Sequence, residues 1–202
     1  MPLSALRLGF IVLLAAAASL PVTAQEDWTE RKSDDNFKVY TKPAPGDNIT
    51  VKTIATAKAA PAELVKILDD VPSYPAWVYH CAAAERLSGG KKDHFYYRSE
   101  VSLPFPFKNR EVVAEVKQSF VNGVFQRTIS ARPDYRPDPE GLERARVFEA
   151  TWKITPRPGG GSDILTIVTT DAGSGLPNWL RNQIVTSGPV KSIGDLIALA
   201  EK

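Results

Sequence analysis

One cysteine in 202 residues excludes any internal disulfide. Cys81 has no partner in the chain, so the fold must rest on packing and hydrogen bonding, and an inert buried thiol is expected. Histidine is almost as scarce. Tyr79-His80-Cys81 with His94 could supply two imidazoles and a thiolate, but adjacent residues of an extended segment point to opposite sides, so no metal site is expected. Neither sign of charge dominates: 25 Lys and Arg stand against 23 Asp and Glu, a formal net charge of +2. Such a balance implies neither a nucleic-acid partner nor an acidic substrate. No repeat, low-complexity tract or charge run divides the chain, and no apolar stretch reaches the roughly 20 residues that a membrane-spanning helix needs.

What is present begins with a leader. Arg7 precedes an apolar run of 13 residues, Leu8 to Leu20, and Val22-Thr23-Ala24 places small residues ahead of Gln25. Cation, short apolar core and small-residue site together form the pattern of a secretory signal peptide. Residues 1–24 are therefore expected to be removed, and the protein to be exported to the periplasm or the medium. Taking 24 residues from 202 leaves 178 (25–202), a length that suits one domain. With Arg7 gone the formal charge falls to +1.

Strand patterns dominate that domain. Ile49–Ala57 is rich in β-branched residues, and Phe95–Val101 alternates with aromatic character. In Arg110–Phe120, Val112, Ala114, Val116 and Phe120 share one face, with Glu111, Glu115 and Lys117 on the other. Asn122-Gly123 is a two-residue hairpin signal leading into Val124–Ser130. Val147–Ile154 puts Phe148, Ala150, Trp152 and Ile154 on one face, and Gly159 to Gly161 turns the chain into Asp163–Thr170. Tight turns between successive strands predict an antiparallel meander. Helical spacing occurs twice. Pro61–Asp69 carries Leu64, Ile67 and Leu68. A final helix of about 25 residues starts near Leu176-Pro177, with Leu176, Leu180, Ile184, Val190, Ile193 and Ile197 in stripe, and Gly188-Pro189 is expected to interrupt it. Helices segregated to one side of an antiparallel sheet define an α+β domain.

Four segments, in order, resemble the START domains, the lipid-transfer modules related to the steroidogenic acute regulatory protein. They are Asn36-Phe-Lys-Val-Tyr40, Asp70 to Trp77, Pro104-Phe-Pro-Phe-Lys-Asn-Arg110 and Asp171-Ala-Gly-Ser-Gly-Leu-Pro-Asn-Trp-Leu180. The resemblance runs from about Trp28 to Glu201 and implies the helix-grip fold, a curved sheet wrapped around the C-terminal helix with an internal tunnel. It also implies a hydrophobic small-molecule ligand, a transient membrane surface as partner, and no cofactor. Two departures stand out. Arg110-Glu111 replaces the family's frequent Arg-Asp. The buried acid and base shared by sterol-binding members are not found at the matching spacing, where Val116 stands six residues beyond Arg110.

The candidate ligand contacts drawn from these motifs and faces are Trp77, Tyr96, Arg98, Phe105, Phe107, Arg110, Val116, Phe148, Trp152, Leu176, Trp179, Leu180 and Ile184. No catalytic residue is assigned, and a monomer is expected. The alternative is an enzyme of cyclase, aromatase or hydrolase type on the same fold, with Tyr96, Tyr97, Arg98, Glu100 and Arg110 as its titratable groups. The physical case for a ligand is that an empty, dry cavity of about 500 Å³ would cost on the order of 12 kcal/mol, as much as a whole domain's stability. Ala131 to Ala145, with three prolines and a glycine, is a loop of a length that is uncommon unless functional or disordered. It is expected to act with the first half of the last helix as a gate. The leader yields a direct test: N-terminal sequencing of protein recovered from the periplasm or medium should begin within about two residues of Gln25, and an intact Met1 on membrane-bound material would refute export.

Overall fold

The computed structural model describes residues 27–46, 48–171 and 175–202; the leader assigned to residues 1–24 lies outside them. The chain forms β1 (Thr29–Ser33), β2 (Phe37–Ala44), β3 (Asn48–Ala57), α1 (Pro61–Asp69), a short 3-10 helix (Val71–Ala76), β4 (Cys81–Arg86) and β5 (His94–Val101). There follow β6 (Arg110–Val121), β7 (Val124–Ala131), β8 (Glu143–Arg144), β9 (Phe148–Pro156), β10 (Ser162–Thr170) and α2 (Asn178–Ala200). The β-branched and alternating segments become strands because one face of each is buried. β1 and β4 carry no such signal: TERKS has no apolar residue, and CAAAER offers alanines in place of β-formers.

All the strands belong to one sheet in the order β1-β2-β3-β10-β9-β7-β6-β5-β4, with β8 attached to β6. Two meanders are thus joined where the last strand, β10, pairs with β3, from Ser162↔Ala57 to Thr170↔Ile49. The Asn122-Gly123 hairpin between β6 and β7 has positive φ at both residues, 51° and 77°, the geometry that matches the right-handed twist of the flanking strands. The sheet curves around α2, and the architecture is the α+β helix-grip fold. α2 is one helix of 23 residues that continues through Gly188 and Pro189, where a kink is expected. Proline removes one backbone donor there, and the flanking turns hold the helix together.

The core is built at one end of the concave face. Leu64 and Leu68 of α1 meet Phe95, Val116, Phe125, Ile154 and Ile164 of the sheet and Ile193 and Leu196 of α2. A smaller cluster of Val39, Val51 and Val185 sits apart from it. Phe120, expected on the inner face, lies past the end of the core and is half exposed.

The convex face is not simply solvated. Glu111 is buried between Arg98 and Arg144, with Arg144 Nη2 2.6 Å from its carboxylate. Arg144 also donates to the carbonyls of Pro133, Arg136 (3.2 Å) and Pro137 (2.9 Å). Next to it, β8 pairs in parallel with β6 (Arg110↔Glu143, Glu111↔Arg144), and Tyr135 stacks on Tyr96 at 4.6 Å. Most of the segment from Ala131 to Ala145 is therefore clamped over the outside of β5 and β6, while Ala145 at its end reaches the cavity wall; these contacts would oppose the expected gate motion. Beside the clamp, Glu115 is held by Arg132, by His94 Nε2 at 2.6 Å and by Lys117 Nζ at 3.2 Å. Burial acts to raise its pKa, but hydrogen bonds from His94, Lys117 and Arg132 outweigh it and hold the group down to about 2, from an ordinary 4.5.

A depressed carboxylate stabilises the fold in full above its unfolded pKa and loses that contribution as pH falls through the folded value. Glu115→Gln should therefore lower the denaturant midpoint at pH 7. The gap to the unsubstituted protein should close as pH falls from about 4.5 toward about 2; a gap independent of pH would show that the carboxylate's charge is not what matters.

Candidate functional site

Between the concave face and α2 lies a cavity of about 290 Å³. Its walls follow from strand parity. β5 turns Tyr97, Ser99 and Val101 inward, β6 Arg110 and Val112, β7 Arg127 and Ile129, β9 Phe148, Ala150 and Trp152, and β10 Thr166, Val168 and Thr170. From α2 come Ile184, Val185, Gly188, Pro189, Ser192 and Ile193, with Trp77, Val78 and Tyr79 from the turn after the 3-10 helix. That turn and α2 are joined at three points. Tyr79 N donates to Ser192 Oγ (2.9 Å), Gln183 Nε2 donates to Tyr79 Oη (3.0 Å), and the Tyr79 ring packs on Gly188. A Cβ at 188 would sit 3.2 Å from Tyr79 Cδ1, so a larger residue there would require the ring to give by a few tenths of an ångström.

The inner end of the cavity is organised by Arg127, whose side chain is 1% exposed. Its Nε donates to Gln118 Oε1 (2.8 Å), its Nη1 to Leu68 O (2.8 Å) and Tyr74 Oη (3.4 Å), and its Nη2 to Asp69 (2.5 Å). Tyr74 Oη in turn donates to Leu68 O (3.0 Å). The Tyr97 ring lies 5.7 Å from that of Tyr74, and burial pushes both phenols well above the ordinary tyrosine range. Trp77 stands edge-on to Tyr74 at 5.1 Å, with its indole N–H buried and unbonded. At the outer end, Arg110 Nη1 is 3.7 Å from Asp171 and Nη2 3.6 Å from Glu143. Leu103 and Leu176, only partly buried, complete that end. The neighbouring loop is pinned by Asn109, which accepts from Leu103 N and donates to Glu100, both at 3.0 Å.

Of the candidate contacts, Trp77, Arg110, Phe148, Trp152, Leu176 and Ile184 line the cavity. The others do not. Tyr96 and Arg98 have the opposite parity to Tyr97 and belong to the convex face, where Arg98 meets Glu111. Phe105 is 97% exposed and Trp179 60%. Phe107 is half buried and Leu180 buried, each without reaching the void, and Val116 is enclosed in the solid core. Arg127 is not among the candidates, and Tyr97 is named only as a titratable group of the enzyme alternative, not as a ligand contact. Arg127 does leave a trace in the sequence: it sits between Phe125 and Ile129 on the buried face of β7, a cation in an apolar alternation.

A curved antiparallel sheet closed over an apolar cavity by its C-terminal helix defines a helix-grip ligand-binding domain. The START domain family model matches residues 13–200, its start falling within the apolar run from Leu8 to Leu20, and the chain belongs to that family. A Pseudomonas aeruginosa protein, PA1579, itself uncharacterised, is 29% identical over 194 residues, 95% of this chain and 96% of its own. The crystal structure of a STAR-related lipid transfer protein fragment from Xanthomonas axonopodis is 26% identical with a TM-score of 0.77. It covers 87% of this chain and 99% of that one. The Zhui aromatase/cyclase from a Streptomyces species shares the fold at 12% identity and a TM-score of 0.54, over 76% of this chain and 94% of its own.

The density of bonds on Arg127 sets its energetic weight. Arg127→Met, which strips one partner from a buried ion pair, should lower the unfolding free energy by about 3 kcal/mol. Arg157→Met, which breaks the half-exposed pair with Asp163, should change it by less than about 1 kcal/mol. Chemical denaturation of the two variants gives the comparison, and equal losses would refute the assignment.

Proposed function

We propose that the protein is an exported carrier that holds a lipid or other hydrophobic small molecule between the sheet and α2 and exchanges it at a membrane surface. The observation that carries the reading is the cavity itself. Left dry, about 290 Å³ would cost roughly 7 kcal/mol at ~24 cal/mol per Å³, a large fraction of a domain's stability. Each methylene placed there gains about 0.8 kcal/mol on leaving water. Retention then needs no reacting group. Membership of the START family and the likeness to a protein described as a lipid transfer protein support the same reading.

Exchange at a membrane is supported by two exposed large apolar residues that lie close in sequence to lining residues. Phe105 lies two residues from Leu103 and Trp179 three from Leu176, both lining residues. Aromatic side chains of this kind settle at the boundary of a bilayer. Among the described residues no helix is long and apolar enough to cross one, so contact rather than spanning is the mode proposed.

Native mass spectrometry of the purified protein, with organic extraction, should release an apolar small molecule. Adding it back in excess should raise the melting temperature, since a ligand at 100 times its dissociation constant adds roughly 2.7 kcal/mol. Phe105→Ser with Trp179→Ser should slow exchange between vesicles severalfold while leaving the amount of bound lipid unchanged. Chemical turnover of the extracted molecule by the protein alone would instead establish the enzyme alternative.

A further inference from the structure

The identity of the ligand's head group can be read from the hydrogen-bonding state of the cavity wall. In charge, both guanidinium groups on that wall are balanced by carboxylates, although the Nε of Arg110 is buried without a hydrogen-bond acceptor. Arg127 gives its donors to Gln118, Leu68, Tyr74 and Asp69, and Arg110 lies between Asp171 and Glu143. The inner pair sums to zero charge and the outer trio to minus one, so neither end offers an unbalanced cation to an anionic head. An anion at the inner end would also face the Asp69 carboxylate across Arg127.

Two hydroxyls on the same wall are in the opposite condition. Tyr97 is 4% exposed and lines the cavity, and its Oη makes no hydrogen bond with any described residue. It is not among the polar atoms sealed off without a partner, so its oxygen borders open space. Thr166 of β10, four strands away around the curve, is 3% exposed and in the same state. Thr166 pairs with Trp152, and Trp152 with Arg127, which places it toward the inner end as well. A buried hydroxyl without a partner is destabilising and is met in practice by a ligand or by water. Burial keeps the Tyr97 phenol protonated and so able to donate.

Size narrows the class further. An apolar cavity of about 150 Å³ accommodates benzene, so about 290 Å³ holds on the order of twelve non-hydrogen atoms by the same proportion. That matches one short chain.

We propose that the ligand is a neutral single-chain amphiphile, such as an alcohol, ketone or monoester, which enters oxygen first and hydrogen-bonds to Tyr97 at the inner end of the cavity. The proposal rests on the carrier reading above. The test uses three probes of equal chain length, dodecane, 1-dodecanol and dodecanoate. Each competes at pH 8 with a fluorescent apolar probe on the protein and on its Tyr97→Phe variant, which removes one unbonded oxygen and should melt at the same temperature or higher. The alcohol should bind the unsubstituted protein at least tenfold more tightly than the carboxylate. Tyr97→Phe should weaken the alcohol about tenfold, the loss of one buried hydrogen bond, and leave dodecane within twofold. Tighter binding of the carboxylate, or an alcohol indifferent to Tyr97→Phe while dodecane still binds, overturns the head-group subsite and leaves the carrier reading standing. Failure of all three probes, dodecane included, overturns both.

Discussion

The inner half of the molecule depends on one buried cation. Arg127 enters an apolar face flanked by Phe125 and Ile129, and its charge is tolerated there because carboxylate, carbonyl, amide and phenol oxygens meet its donors. Those acceptors come from three places: the end of α1, the 3-10 helix and the start of the β6–β7 hairpin. One side chain therefore fixes where Leu68, Tyr74 and Trp77 stand, and with them the inner wall of the cavity. An apolar residue at 127 would leave these elements to pack by shape alone.

β6 carries the opposite duty on its two sides. Its even-numbered residues build the core and cavity wall, while Glu111 and Glu115 on the other side anchor a cover of arginines and loop. A strand buried on both faces is ordinary in a parallel sheet and less so in an antiparallel one. Here the second layer consists of irregular chain held by charge, with Arg144 tying three loop carbonyls to a carboxylate of the strand. The covering segment is thus tied to the frame of the sheet by charge and hydrogen bonds.

The sequence revealed the sheet's periodicities more readily than their sense. Alternation divides Tyr96, Arg98 and Glu100 from Tyr97 and Ser99 correctly, yet which set faces inward is fixed only when Tyr97 pairs with Ala114 and α2 lies across them. Trp77, Phe148, Trp152, Leu176 and Ile184 were legible because apolar residues on one face of a strand or helix must meet something. Glu111 and Glu115 look solvated in the sequence, since nothing local announces that Arg144, some thirty residues on, returns to bury one of them. Leu180 and Val116 show the same limit from the apolar side, where periodicity separates inside from outside but not packed core from cavity.

The contact between Tyr79 and Gly188 divides α2 into two regions of unequal cooperativity. Beyond it, Ile193 and Leu196 are embedded in the main core and share the stability of the whole domain. Before it, Val185 belongs to a cluster of three buried residues, and the helix begins at Pro177 with no side-chain cap. Local opening follows the free energy of the contacts that must break. The first three turns of α2 can therefore detach in a sub-global fluctuation that leaves the sheet, the Arg127 network and the last turns of the helix in place. The boundary of that fluctuation falls at Pro189, where the missing backbone donor has already removed one of the hydrogen bonds that would couple the two halves.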